Sequence, residues 1–243
     1  PEWYEDCKIK KEMYLLTFAD DSKKICFSPS FSVEKLPSKW EEWFKVNLNK
    51  FPRLSVREDT GAKIIENLTG RKAEVLIDPT LMLSKEEWKK LSADNKITEK
   101  DYILTYFLGG RDEKTDEDLK KYSKELDTKV YNLLDYSQPD IYTSDPCEFV
   151  NLIDNAKLVV TDSFHACVFS FIFKKPFLLY NRIGKSDMMS RMDTFLKKFK
   201  LERKYIFSKE KNELLECEYE QGYEILKQEQ KKVYKFLEDC VKN

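Results

Sequence analysis

The chain has 243 residues, with 43 Lys plus Arg against 44 Asp plus Glu and a single histidine. A net charge of −1 supplies no general field for nucleic acid or an anionic membrane, so any anion site has to be local, and one imidazole excludes a His-rich metal centre. Charged residues reach 36%, but a hydrophobic content of 41% with 14% aromatic is enough for a core and excludes disorder.

The chain opens on Pro1 with no recognisable start to a domain, and reads as a piece that begins within a longer protein. In chain order, short apolar runs predict strands over 13–18 and 24–27, then a helix over 38–50. From residue 53 to about 199 the two alternate. Strands are expected over 53–56, 74–77, 102–107, 129–133, 158–161 and 177–180, and helices over 59–68, 85–91, 116–126, 146–155, 163–173 and 186–199. Gly70, Asp78-Pro79 and Ser144 to Pro146 supply stop and start signals between them. The tail 219–241 spaces Tyr223, Leu226, Val233, Phe236 and Leu237 as a long amphipathic helix. Several strands are continuously apolar, as strands covered on both faces are, so the expectation is an α/β fold: a Rossmann-like, mainly parallel sheet with helices on both faces.

Six cysteines without a C-x-x-C pair read as free thiols, which fits a reducing, cytoplasmic setting, and no secretory signal is visible. The longest apolar stretch, 164–173, has about half the length of a membrane helix and should be a buried core helix. Only six glycines occur, and neither G-x-G-x-x-G nor G-x-x-x-x-G-K-[ST] is among them, which disfavours a dinucleotide fold or a P-loop kinase.

Ligands of open parallel sheets bind outside the carboxyl ends of the strands, so residues just after each strand are the candidates. Three turns qualify, and the alternation places all three on one edge of one sheet. The first is Arg57-Glu58-Asp59, where arginine, scarce at 7 of 43 basic residues, suits a carboxylate or phosphate at a helix start. Arg57 equally suits a plain ion pair with Glu58, Asp59 or Asp78. The second is Thr161-Asp162-Ser163-Phe164-His165, which brings the one histidine into the first turn of the most apolar helix, where N–H groups and a capping residue favour an anion. A lone histidine on an apolar helix is commonly a satisfied core residue, but this placement raises its standing. Asp162, Ser163 and His165 are no hydrolase triad, because near-adjacent side chains diverge and no G-x-S-x-G surrounds the serine. The third is Asn181 to Lys185, where Lys185 is either a site cation or a solvated loop lysine.

Ser55-Val56-Arg57-Glu58 with Gly61, Asp78 to Leu83, and the block from Pro146 to Pro176 together resemble the polysaccharide pyruvyl transferase family. The stretches 18–31 and 191–196 are similar as well, and the likeness runs from about 14 to 205. It implies two Rossmann-like halves in a GT-B-like arrangement, with residues 1–52 the remnant of an N-terminal domain and its linking helix, and 53–243 the C-terminal domain. It also implies transfer of a pyruvyl group from phosphoenolpyruvate to sugar hydroxyls, forming a ketal, in surface or exopolysaccharide synthesis. By position, Arg57 then holds the donor's carboxylate or phosphate, His165 transfers protons, and Ser163, Phe164, Lys185, Glu58 and Asp162 are binding residues. Many members have Arg-Leu-His where this chain has Ser163-Phe164-His165, so a donor-clamping arginine is absent and the Ser163 hydroxyl with helix N–H groups stands in.

The resemblance calls for no metal and no cofactor, phosphoenolpyruvate being the donor substrate and a sugar or lipid-linked oligosaccharide the acceptor. It implies a cytoplasmic protein without a transmembrane segment, able to sit at the inner face of the membrane through its lipid-linked substrate. Two alternatives stand beside it: a GT-B glycosyltransferase using a nucleotide sugar, and a non-catalytic carbohydrate-binding or assembly module.

Overall fold

The computed structural model describes residues 11–92, 99–184, 189–206 and 213–242. They divide into two compact units. One takes the described residues up to Pro79, those from 189 to Phe195 and those from Ile225 on; the other takes Thr80 to Gly184 and Leu196 to Glu224.

In the first unit, α1 (Ser38–Leu48) and α2 (Asp59–Thr69) pack with strands β1 (Ser55–Val56) and β2 (Glu74–Val75), which pair in parallel as Ser55 with Glu74 and Val56 with Val75. Its core joins Leu36, Phe44 and Leu48 to Leu54, Val56, Ile64 and Ile65. Gly70, at φ +68°, ends α2 in the left-handed conformation that favours glycine. The expected strand over 24–27 runs as coil beside β1, because the Ser55 hydroxyl donates to the Cys26 carbonyl and accepts from Ser28 N at 2.8 Å in place of ladder bonds. The strand expected over 13–18 is absent: a 3-10 turn at Lys11–Met13 runs into further turns, with Leu15 buried while Met13 and Phe18 are exposed.

In the second unit, α3 (Lys85–Leu91) precedes β3 (Tyr102–Tyr106), α4 (Glu113–Leu126), β4 (Val130–Asn132), the short α5 (Pro139–Tyr142), α6 (Pro146–Asn155), β5 (Ala156–Thr161), α7 (Phe164–Ile172) and β6 (Phe177–Leu179). The strands form one parallel sheet in the order β4-β3-β5-β6. Ile103, Leu158, Val160 and Leu178 join Leu119 and Tyr122 of α4 in one core cluster. α4 starts ahead of the expected 116 because Asp112 caps it, accepting from Thr115 N at 2.8 Å. Last come α8 (Ser190–Phe199) and α9 (Glu220–Lys242), whose residues are divided between the two units.

The α/β character and parallel pairing are as the sequence predicts. The single sheet edge is not: among the described residues β1 and β2 pair only with each other, so the strand before Arg57 belongs to a different sheet from the strand before His165. Among the described residues, no helix is long and apolar enough to cross a membrane. α7 is a core helix, burying every residue but one.

Candidate active site

The strand order of the larger sheet fixes where a ligand can enter. The chain leaves β3 toward β4 on one side and returns to β5 on the other, so the direction of winding reverses between β3 and β5. Loops after two such strands diverge and open a crevice at their carboxyl ends. Here those loops are Phe107 to Gly110 and Asp162 to Ser163.

Asp162 ties them together. Its carboxylate accepts from Leu108 N at 2.7 Å and Gly109 N at 2.9 Å, while Arg182 after β6 places Nε 3.4 Å from it and donates Nη2 to the Asp162 carbonyl at 3.2 Å. Asp162 is buried, so each of these charge-assisted contacts works at reduced dielectric. Thr161 adds a bond from Oγ1 to the Tyr106 carbonyl at 2.5 Å and accepts from Ser163 N at 2.9 Å. The loop can lie this close only because residue 109 is glycine, since a Cβ there would come within 2.1 Å of the Ile183 carbonyl oxygen.

This clamp aims α7. Ser163 caps it, its hydroxyl 3.5 Å from Ala166 N, and Phe164 goes into the core. His165 is the one exposed residue of the helix, with its ring edge-on to Phe164 at 5.4 Å. His165 and Ser163 line a cavity of about 500 Å³ together with Trp88, Tyr106, Leu134, Tyr142 and Phe149. Burial pushes the Tyr106 hydroxyl above its ordinary pKa, the Asp162 charge adds to that, and Arg182 opposes it.

The Arg57 turn belongs to the other unit. Arg57 Nη1 sits 2.7 Å from Asp78 Oδ2, Nε reaches the Ser28 carbonyl at 3.3 Å, and the Asp78 side chain is only 1% exposed. Of the pairings open in the sequence, the structure selects Asp78. Glu58 is buried and accepts from Phe31 N at 2.7 Å and Ser32 N at 3.0 Å through Oε1, which holds the 28–32 turn against the start of α2. Gly61 lies against that contact: a Cβ there would come 3.2 Å from Glu58 Oε1 and 3.3 Å from Phe31 Cδ2, and would clash with Val56 Cγ2 at 2.5 Å. Lys185 lies outside the described residues.

Sequence reasoning passed over Arg182, the Gly109-Gly110 doublet and the aromatic cavity wall. The doublet was a usable signal, two of only six glycines falling directly after an apolar strand. The wall was not, since its aromatics are scattered from Trp88 to Phe169.

A parallel sheet with a switch-point crevice, and a capped helix carrying one imidazole beside a cavity, define a Rossmann-like α/β protein. A family model described as polysaccharide pyruvyl transferase matches residues 5–182, and the chain belongs to that family. The match takes in Arg57, Glu58, Asp162, Ser163, Phe164 and His165 and stops short of Lys185. No curated protein and no solved structure gives a significant match.

Proposed function

We infer that the protein serves transfer of a pyruvyl group from phosphoenolpyruvate to two hydroxyls of a polysaccharide or its precursor, with His165 as the proton-transfer residue. The observation that carries this reading is His165 itself, the one exposed residue of an otherwise buried helix, at the switch point of a chain of this family.

In such a transfer two hydroxyl oxygens bond to C2 of the donor and the bond from C2 to the phosphate oxygen breaks. Of the two protons lost from the hydroxyls, one ends on the donor's methylene carbon, making a methyl group, and one on the released phosphate. An imidazole suits both removal and delivery near neutral pH. Arg57 holds an anionic group of the donor and Lys185 adds a second cation. The Ser163 hydroxyl and the first turn of α7 favour negative charge beside His165. Glu58 and Asp162, whose carboxylates bond backbone N–H groups, act as positioning residues for their turns. The donor arrives activated, so the reaction calls for no cofactor.

The test is incubation with phosphoenolpyruvate and a polysaccharide acceptor, following phosphate release and the ketal methyl signal by NMR. His165→Ala lowers turnover by a factor on the order of 100 or more. Ketal formation by that variant at close to the original rate removes His165 from the mechanism.

A further inference from the structure

Away from Ser163 and the start of α7, the walls of the cavity beside His165 are unlike a donor site. Among the described residues that line it none is Lys or Arg, and the one carboxylate, Asp145, belongs to a capping box with Glu148. Its walls are Trp88, Tyr106, Leu134, Tyr142 and Phe149, and several of these rings brace one another or the floor residue Phe169: Trp88 meets Phe169 at 4.9 Å and Tyr106 meets Phe149 at 5.4 Å, both edge to face. At the rim Tyr142 is 37% exposed and lies 4.2 Å, centroid to centroid, from the ring of Tyr136, while Leu108 and Leu134 are exposed as well. Among these apolar walls the buried Ser144 hydroxyl oxygen has no hydrogen-bond partner.

Phosphoenolpyruvate carries a carboxylate and a phosphate, and apolar walls whose described residues include no Lys or Arg would leave most of that charge uncompensated. The complementary occupant is neutral, has apolar faces and carries hydroxyls at its edge. A cavity of about 500 Å³ with mostly apolar walls and a few polar groups is the form small-molecule sites take. A pyranose ring meets each demand: its C–H face lies against the negative face of an aromatic ring, and its edge hydroxyls face His165.

We propose that this cavity is the acceptor subsite, taking one uncharged pyranoside ring with Tyr142 as its platform and presenting a ring hydroxyl to His165. The proposal rests on the pyruvyl-transfer reading and adds to it which substrate lies on which side of the histidine.

His165, the chain's one histidine, gives a single imidazole Cε1–H signal that reports directly on the cavity. Methyl β-D-galactopyranoside and methyl β-D-glucopyranoside are titrated against that signal in the full chain, in Tyr142→Ala and in Tyr142→Phe, with inorganic phosphate as the anion control. At least one pyranoside is expected to shift the signal saturably. Tyr142→Ala should weaken that binding by roughly tenfold, and Tyr142→Phe, which keeps the ring, should largely retain it. The inference is overturned if neither pyranoside moves the signal, if Tyr142→Ala binds as the unaltered protein does, or if phosphate displaces the sugar. Phosphate release from phosphoenolpyruvate, assayed in parallel, separates the two failures. Turnover without pyranoside binding at Tyr142 sinks the subsite and leaves the reaction. Tyr142-dependent pyranoside binding without turnover keeps the subsite and sinks the reaction.

Discussion

Arg57 pairs with Asp78 and, in the proposed reading, also binds the donor, two roles that a single substitution would confuse. It compensates Asp78, whose side chain is 1% exposed at 2.7 Å, and it is the residue assigned to the donor's anionic group. Arg57→Ala would leave a buried carboxylate without its cation, a loss of about 3–5 kcal/mol in stability, so inactivity of that variant would say little about the donor. Arg57→Lys keeps the charge and removes the planar fork. The expected outcome is a folded protein whose apparent affinity for phosphoenolpyruvate falls roughly tenfold, about one charge-assisted hydrogen bond. Unchanged affinity would make Arg57 a structural partner of Asp78 alone. Asp162 is the comparable case in the other unit: its side chain is fully buried and spent on Leu108 N, Gly109 N and Arg182, so it holds the turn from which α7 starts.

At the scale of elements, the exits of β3, β5 and β6 work as one clamp, and Gly109 is its tightest point. Gly109→Ala brings Cβ against the Ile183 carbonyl and Arg182 Cγ, and backbone overlap cannot be relieved by rotating a side chain. The expected cost is about 2 kcal/mol or more, read as a lower denaturant midpoint at unchanged slope. Gly110→Ala, at φ +81° with open space around it, should cost only about 1 kcal/mol of backbone strain. Equal losses in the two variants would contradict the steric account. The elements themselves were legible where a run was mostly apolar and rich in β-branched and aromatic residues, as over 102–107 and 158–161. The run over 13–18 misled because apolar residues alone do not create a partner strand. The separation of β1 and β2 from the larger sheet was hidden for the same reason, since pairing is decided between distant segments while periodicity is local. His165 stood out through scarcity and its place after a strand, whereas the cavity wall became visible only once α3, β3, α5, α6 and α7 were folded together.

Among the described residues, buried acidic protons outnumber buried amines that have lost affinity for theirs. Burial raises the Cys26 thiol from its usual 9.0 to about 11 and raises Cys167, Tyr102, Tyr180, Tyr219 and Tyr223 as well, whereas burial lowers only Lys175 and Lys204 among the described lysines. The folded state holds the thiol and phenol protons more tightly than the unfolded chain, so their contribution is full below about pH 9 and is lost as pH rises; the two lysines act in the opposite sense. Stability should therefore fall between pH 8 and pH 10.5 in reducing buffer, with Cys26 alone accounting for about 2 kcal/mol by pH 11. Equal or greater stability at pH 10.5 would contradict this. The same burial makes α7 a rigid mount for its one exposed residue, and the account stands on what that residue does. The most direct measurement is the rate of ketal formation from phosphoenolpyruvate by the unaltered protein and by His165→Ala under identical conditions. The account predicts a ketal methyl signal with the first and a fall on the order of 100-fold or more with the second; equal rates would contradict it.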